Sequence, residues 1–347
     1  MSVRGMLPYQ DVDSSLRAMA GSAEGFGRHA IGGLHDDGPG SLRQGCRTKE
    51  PLWIVFQLSG TILLSSYLSV SSYTTIDGRG QRIKLTGKGL RLKECQHIIV
   101  CNLEFEGGTG HDVDGIQIKP NSTHIWIDRC TLRDYDDGLI DITRQSTDIT
   151  VSRLFILHIR GTESVGETWS IVMGYLALWQ QHDKTMLIGA DPSHVGDRCI
   201  RVTIHHCFFD GTRQRQPRVR FGKVHLYNNY TRNWGVYAVC ASVESQIYSQ
   251  CNVYEAGTKK KTFEFYTEKA ADKEVQKSGL IISEGDMFLN GAQPCLLTEK
   301  REETMFHPSE YYPTWTMEAA HHSLRDVLQL CTGWQSICRP IDHMSFN

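Results

Sequence analysis

The sequence has no run of 18 apolar residues, so it predicts no membrane-spanning helix. Acidic and basic residues nearly balance, at 39 against 37, which argues against a dedicated nucleic-acid binder. Residues 1–8 contain no apolar segment, and a signal peptide is therefore not visible. Only ten prolines accompany 32 glycines, a balance that suits an all-β chain with many tight turns.

Paired cysteine motifs are also missing. The eleven cysteines are an odd number, and no CxxC pair stands out among them. We therefore expect free thiols that pack as small hydrophobic side chains, and no zinc site. With 347 residues, 40% of them hydrophobic, the chain is long enough to bury a large core.

A six-residue pattern recurs: apolar, any, apolar, two polar residues, then Cys, Asn or Leu. It begins at residues 98, 125, 149, 202, 224 and 247, so most copies lie 22 to 27 residues apart. This period predicts a solenoid. Strand-forming residues with Gly, Asn and Asp at the corners favour a parallel β-helix, since a leucine-rich consensus is absent. We expect the sixth residues to stack inward between coils.

One interval, of 53 residues, is about twice as long as the others and predicts an insertion at 154–180. We expect three segments: a polar lead at 1–24, a β-helix domain at 25–257 and a tail at 258–347. Residues 317–330 of the tail have helical periodicity. They predict an amphipathic helix that lies on the solenoid or caps it.

Four aspartates form two close pairs, Asp112 with Asp114 and Asp137 with Asp141. In an extended chain the members of each pair share a face, and the pairs are separated by about one coil. Four like charges on one surface need a cation among them, and a hard cation with oxygen ligands, Ca²⁺ first, is the natural occupant. The alternative is that these are solvated, Asp-rich turns.

Basic residues follow further along the chain. Four arginines lie within residues 213–220, around Pro217, and Lys184 precedes a short strand. Arginine binds carboxylates bidentately and lysine adds a point charge, so a groove with Ca²⁺ and these side chains suits an acidic polysaccharide. The alternative is that the arginines form ion pairs with neighbouring aspartates.

Together these motifs resemble the plant pectate lyases. The likeness lies in residues 112–116, 125–128, 137–141 and 215–220, which occur in the family's order. The resemblance implies a right-handed parallel β-helix that cleaves polygalacturonate by β-elimination with Ca²⁺. It also implies secretion to the cell wall. We expect a monomer that binds neither nucleic acid nor membrane.

The resemblance also implies roles for individual residues. Asp112, Asp137 and Asp141 match the family's calcium ligands, and Asp114 matches an additional ligand of some members. Arg215 matches the arginine that acts as the base. A free guanidinium stays protonated, so this role needs neighbouring cations.

The remaining basic residues are assigned to the substrate. Lys184 and Arg220 match residues that hold substrate carboxylates, and we expect Arg218, in the same motif as Arg220, to bind substrate too. The chain also departs from the family. Arg129 stands where a histidine is common, and residues 33–36 leave no room for a strand that the family usually carries near its N-terminus.

Two other functions fit parts of the pattern. A polygalacturonase-like hydrolase would use paired aspartates around a water molecule, and Asp136 with Asp137 is a superficial match. That family's Gly-His-Gly element is missing, however. A catalytically inactive, pectin-binding homologue would keep the charge pattern and lose turnover.

Overall fold

The computed structural model describes residues 23–30, 41–157, 183–297 and 305–339. They form a parallel β-solenoid of about eight turns, whose strands belong to three sheets. Each coil contributes one strand to each sheet, except that the last described coil has none in sheet C, and every strand pair between coils is parallel. The β-helix class predicted from the repeat is confirmed.

The strands follow one another in the order sheet A, sheet B, sheet C. Sheet A contains β1 Leu52–Val55, β4 Thr74–Asp77, β7 Gln96–Cys101, β10 Thr123–Asp128, β13 Thr147–Ser152, β16 Arg201–His205, β19 Lys223–Tyr227, β22 Gln246–Gln250 and β25 Leu280–Glu284. Sheet B contains β2 Gly60–Leu63, β5 Ile83–Gly87, β8 Glu104–Gly108, β11 Thr131–Arg133, β14 Phe155–Leu157, β17 Phe208–Asp210, β20 Tyr230–Arg232, β23 Val253–Glu255 and β26 Met287–Leu289. Sheet C contains β3 Leu68–Ser69, β6 Leu90–Leu92, β9 Ile116–Ile118, β12 Ile140–Ile142, β15 Met186–Ile188, β18 Arg218–Val219, β21 Val239–Ala241 and β24 Phe263–Phe265.

The six-residue repeat of the sequence coincides with the strands of sheet A, and equivalent residues of the repeat pair in the sheet. The first apolar residue of each copy pairs with its counterpart in the next coil, and all six are fully buried: Ile98, Ile125, Ile149, Val202, Val224 and Ile247. Burial of one such side chain contributes about 1.5–3 kcal/mol. The same contact, repeated from coil to coil, therefore makes up much of the core.

The sixth residues of the repeat form the expected inward column. Asn229 is 4% exposed, and its side chain satisfies three groups of the neighbouring coils. Its Oδ1 accepts the Cys207 N–H at 2.9 Å, while its Nδ2 donates to Ile204 O and to Asn252 Oδ1, both at 2.9 Å. The side-chain amide at this corner thus supplies hydrogen bonds that the buried backbone groups would otherwise lack.

Two expected boundaries need correction. Residues 155–157 of the expected insertion form β14, which pairs with β11 and β17. Residues 158–180 of the expected insertion lie outside the described residues. The solenoid also continues past Gly257, through β24 to β26. The six-residue pattern is no longer recognisable there because residues 266–279 lengthen the coil between β24 and β25, and because β25 is only partly buried.

Two helices pack against the solenoid. Helix α1, Leu42–Arg47, places Cys46 in the core. Helix α2, His322–Cys331, begins five residues later than expected, where the His321 side chain accepts the Leu324 N–H at 3.0 Å. It lies on sheet B, with Leu324 and Leu328 packed near Tyr230. Within the described ranges, neither helix has the length and apolar character needed to cross a bilayer.

The cysteines are all free thiols, as expected. Six of them are buried and pack as small hydrophobic residues: Cys46, Cys95, Cys101, Cys130, Cys207 and Cys240. Burial raises the pKa of the Cys95 thiol to about 11 and that of Cys207 to about 12. These thiols therefore stay neutral at physiological pH.

We expect Asn229→Ala to destabilise the fold by about 2–3 kcal/mol, because it leaves the buried Cys207 N–H and Ile204 C=O without their partner. Urea unfolding followed by circular dichroism measures the change. Thr61→Ala, at an exposed position of β2, is the control and should stay within about 0.5 kcal/mol of wild type. Equal stability of the two variants would contradict the role of the asparagine.

Candidate functional site

Sheet C gathers the charged residues that the sequence singled out. Asp112, Asp114 and Asp137 lie in the loops before β9 and β12, and Asp141 lies on β12 itself. Lys184 and Arg215 lie in the loops before β15 and β18. Because these four strands pair in the order β9, β12, β15, β18, acidic and basic residues occupy adjacent coils on one side of the solenoid. The register places Gln117, Asp141, Leu187 and Arg218 in one row across it.

The first pair of aspartates does not share a face. Asp112 has a left-handed backbone conformation, with φ 54°, so the segment before β9 is not extended. Its side chain is 58% exposed, while Asp114 is 1% exposed. The Tyr67 hydroxyl accepts the Asp114 N–H at 2.9 Å and lies 3.2 Å from Asp112 O, which fixes this turn beside the sheet.

Asp114 and Asp141 converge on Gly138. Asp114 Oδ1 accepts the Gly138 N–H at 2.7 Å, and its Oδ2 accepts from Gln117 Nε2 at 2.8 Å. A Cβ at Gly138 would lie 2.7 Å from Asp114 Oδ1 and 3.5 Å from Asp141 Oδ1. Only glycine therefore leaves the space between the two carboxylates open.

Burial and the repulsion between their negative charges disfavour the state in which Asp114 and Asp141 are both ionised. Burial raises the pKa of Asp114, and the nearby Asp137 charge raises it further. Burial, followed by the charge of Asp114, raises the pKa of Asp141 to about 7. Such shifts mark carboxylates that lack enough positive charge around them.

Two lysines supply part of that charge. Lys119 Nζ lies 3.5 Å from Asp141 Oδ2 and 4.0 Å from Asp112 Oδ1, and Lys184 forms an ion pair with Asp137. In the described part of the chain, no three His, Cys, Asp or Glu side chains are close enough together to enclose a metal ion. The oxygen donors and the open space at Gly138 suit a hard cation.

Arg215 sits at an irregularity between two coils. Lys184 pairs with Gln214 and Leu187 with Arg218, so four residue steps on one strand face three on the other. The extra residue makes a bulge, and Arg215 there has φ 69°. Its Nε is buried and has no hydrogen-bond partner among the described residues. Strain and an unsatisfied buried donor together are features of functional positions.

The arginines after Arg215 are already paired, but not with a neighbouring aspartate. Arg218 Nη2 donates to Glu268 Oε1 at 2.9 Å, and Arg220 Nε donates to Glu268 Oε2 at 3.0 Å. Arg213, by contrast, pairs with Asp183 at a half-exposed position. The predicted ion pairing with aspartate therefore holds for Arg213 alone among these three.

The family model described as "Pectate lyase" matches residues 64–273, which include every strand of this site. The chain belongs to the pectate lyase family. Probable pectate lyase 4 of Arabidopsis thaliana is 34% identical over 298 residues, which cover 80% of this chain and 74% of the relative. The comparisons support a pectate lyase enzyme.

Solved structures of pectate lyases and their relatives share the solenoid. The cedar pollen allergen Jun a 1 superimposes with a TM-score of 0.75 at 26% identity, over 94% of this chain and 97% of the allergen. A pectate lyase from Bacillus sp. N165, solved in complex with trigalacturonate, gives a TM-score of 0.64 at 19% identity, over 90% of this chain and 98% of its own. The parallel β-helix is thus the family's fold here too.

Sequence reasoning missed Lys119, Gln117 and Glu268. Gln117 occupies the position one coil before Asp141, so its place could have been found from the register. Lys119 follows two residues later, directly after the end of β9. Glu268 lies about two coils beyond Arg218, in a charged segment outside the repeat, and no sequence spacing connects the two.

We expect the stability of the metal-free protein to fall as pH rises from about 4 to about 7, because of Asp141. Its folded pKa is about 7 and its unfolded pKa is about 3.9, so in this window the folded state keeps a proton that the unfolded state has lost. Asp141→Asn should remove part of that decline, on the order of 3 kcal/mol.

Urea unfolding from pH 4 to 8 in the presence of a chelator measures the effect. Asp326→Asn, at an exposed position of α2, controls for the loss of one acidic group. If wild type and Asp141→Asn decline equally with pH, the raised pKa of Asp141 is contradicted.

Proposed function

We propose that this protein is a Ca²⁺-dependent pectate lyase that acts as a monomer on (1→4)-α-D-galacturonan. One observation carries the proposal. Aspartates on the coils of β9 and β12 lie directly beside lysine and arginine on the coils of β15 and β18. A polymer with one carboxylate per sugar can therefore cross from an acidic, cation-binding part of the face to a basic one.

The proposed metal ligands are Asp112, Asp137 and Asp141, with Asp114 as an additional ligand behind them. Bound there, calcium would neutralise the substrate carboxylate and so make the adjacent C–H bond more acidic. Asp114 also holds the Gly138 N–H at 2.7 Å, so its second role is to keep the loop before β12 in place.

The proposed base is Arg215. The C5 hydrogen of a galacturonate is α to its carboxylate, and its removal leaves an electron pair that forms the C4–C5 double bond as the C4–O4 bond breaks. The departing O4 takes up a proton, so the products are one unsaturated end and one new hydroxyl end. A free guanidinium stays protonated, which makes Arg215 the residue to test first.

The proposed substrate-binding residues are Lys184, Arg218 and Arg220. Lys184 pairs with Asp137, and so stands where the acidic and basic parts of the face meet. Arg218 and Arg220 are only 12% and 13% exposed, which fixes their direction. Guanidinium groups held in this way bind a carboxylate with little further loss of entropy.

We expect Arg215→Ala to lower kcat on polygalacturonate by at least about 10²-fold, because proton abstraction contributes about 10²–10⁴-fold. The ultraviolet absorbance of the unsaturated product measures the rate, with Ca²⁺ and with chelator. Arg213→Ala is the matched control, because Arg213 lies two residues away and pairs with Asp183 at the surface. It should keep near-wild-type turnover.

Other outcomes would contradict the proposal in distinct ways. New reducing ends without the absorbance would indicate a hydrolase. Wild-type protein that is folded by circular dichroism, binds polygalacturonate and shows no turnover would be a non-catalytic binding homologue. Full activity of Arg215→Ala would exclude Arg215 as the base.

A further inference from the structure

One carboxylate holds two of the proposed substrate-binding arginines. Arg218 Nη2 lies 2.9 Å from Glu268 Oε1. Arg220 contacts the same carboxylate with two nitrogens: Nε lies 3.0 Å from Oε2 and 3.3 Å from Oε1, and Nη2 lies 3.3 Å from Oε1. Both guanidinium groups therefore take part of their orientation from a single side chain.

The two arginines need such a partner. They flank the fully buried Val219 and both contact the carboxylate of Glu268, so their like charges lie close together. Other contacts fix them only in part. Arg220 Nη1 donates to Ala190 O at 2.9 Å, and Arg218 Nε donates to Ser242 Oγ at 3.2 Å. A carboxylate between them offsets the repulsion that would otherwise separate them.

Glu268 is itself held from several directions. Its backbone exchanges two hydrogen bonds with Lys277, at 3.1 and 3.0 Å, which closes residues 268–277 into an antiparallel turn. The Ala271 N–H donates to Pro192 O at 3.1 Å and joins this turn to the coil of β15. The Arg218 guanidinium lies 4.8 Å from the centre of the Tyr266 ring. The carboxylate is thus preorganised before any substrate arrives.

We propose that Glu268 is a positioning residue for substrate binding, which orients Arg218 and Arg220 toward the carboxylates of the polymer. The proposal rests on the function proposed above. It assigns a role in that function to the turn 268–277, which lies outside the sequence repeat. Glu268 acts through the two arginines and does not touch the reacting atoms.

Kinetics of Glu268→Gln test the proposal. The substitution keeps the size of the side chain and removes its charge. We expect KM for polygalacturonate to rise about tenfold, while kcat changes by less than about threefold. The loss of the Glu268 charge weakens the hydrogen bonds that orient the two arginines for substrate binding and leaves the reacting atoms unaffected. Glu274→Gln, an exposed glutamate in the same turn, removes the same charge and should leave both constants unchanged.

A second comparison separates positioning from a general structural effect. In a background where Arg218 and Arg220 are both alanine, adding Glu268→Gln should raise KM by no more than about twofold, because the residues through which Glu268 acts are gone. An additive, tenfold rise in that background would overturn the proposal. Circular dichroism and urea unfolding establish that every variant is folded.

The direction of the change in KM also tests the positioning role of Glu268. A lower KM for Glu268→Gln would show that Glu268 competes with the substrate carboxylate, and an unchanged KM would show that the arginines need no such partner. Either result overturns the proposal. Wild-type protein that neither binds a short galacturonate oligomer nor turns over polygalacturonate would instead overturn the proposed function itself.

Discussion

The parallel pairing of successive coils is the constraint on which the rest of this structure depends. Each strand bonds to its counterpart one coil away, so residues about 24 positions apart in the chain become neighbours in space. A side chain is then surrounded mainly by its counterparts above and below. Apolar residues stack into a continuous core, and the asparagine at 229 finds partners for its amide in the coils on both sides.

The same constraint creates the electrostatic problem of the candidate site. Stacking the aspartates of two coils brings like charges together in a partly buried place, where burial and the neighbouring negative charges raise the pKa of Asp114 and of Asp141. Lys119 and Lys184 relieve this only in part. Lys119 contacts Asp141 and Asp112, and Lys184 contacts Asp137, whereas Asp114 accepts its hydrogen bonds from the amides of Gln117 and Gly138. A further cation that binds at a site of this kind stabilises the ionised carboxylates.

Much of this could be predicted from the sequence because the period is regular. The six-residue pattern predicts the solenoid and the inward column, and the spacing of the aspartates predicts that the two pairs lie on neighbouring coils. It fails where the chain leaves the period. The left-handed turn at Asp112, the bulge at Arg215 and the turn that carries Glu268 are local backbone features, and neither apolar spacing nor charge counts encode them. The solenoid end at Leu289 was missed for the same reason, because a longer coil separates β24 from β25.

The most direct test of this account is a calorimetric titration of the chelator-treated protein with Ca²⁺. We expect wild type to bind the ion, and Asp137→Asn and Asp141→Asn each to weaken binding by at least about tenfold, because each removes a charged oxygen ligand. The absence of binding by folded wild-type protein would contradict the account. So would variants that bind as tightly as wild type, because Asp137 and Asp141 would then not be ligands of the ion.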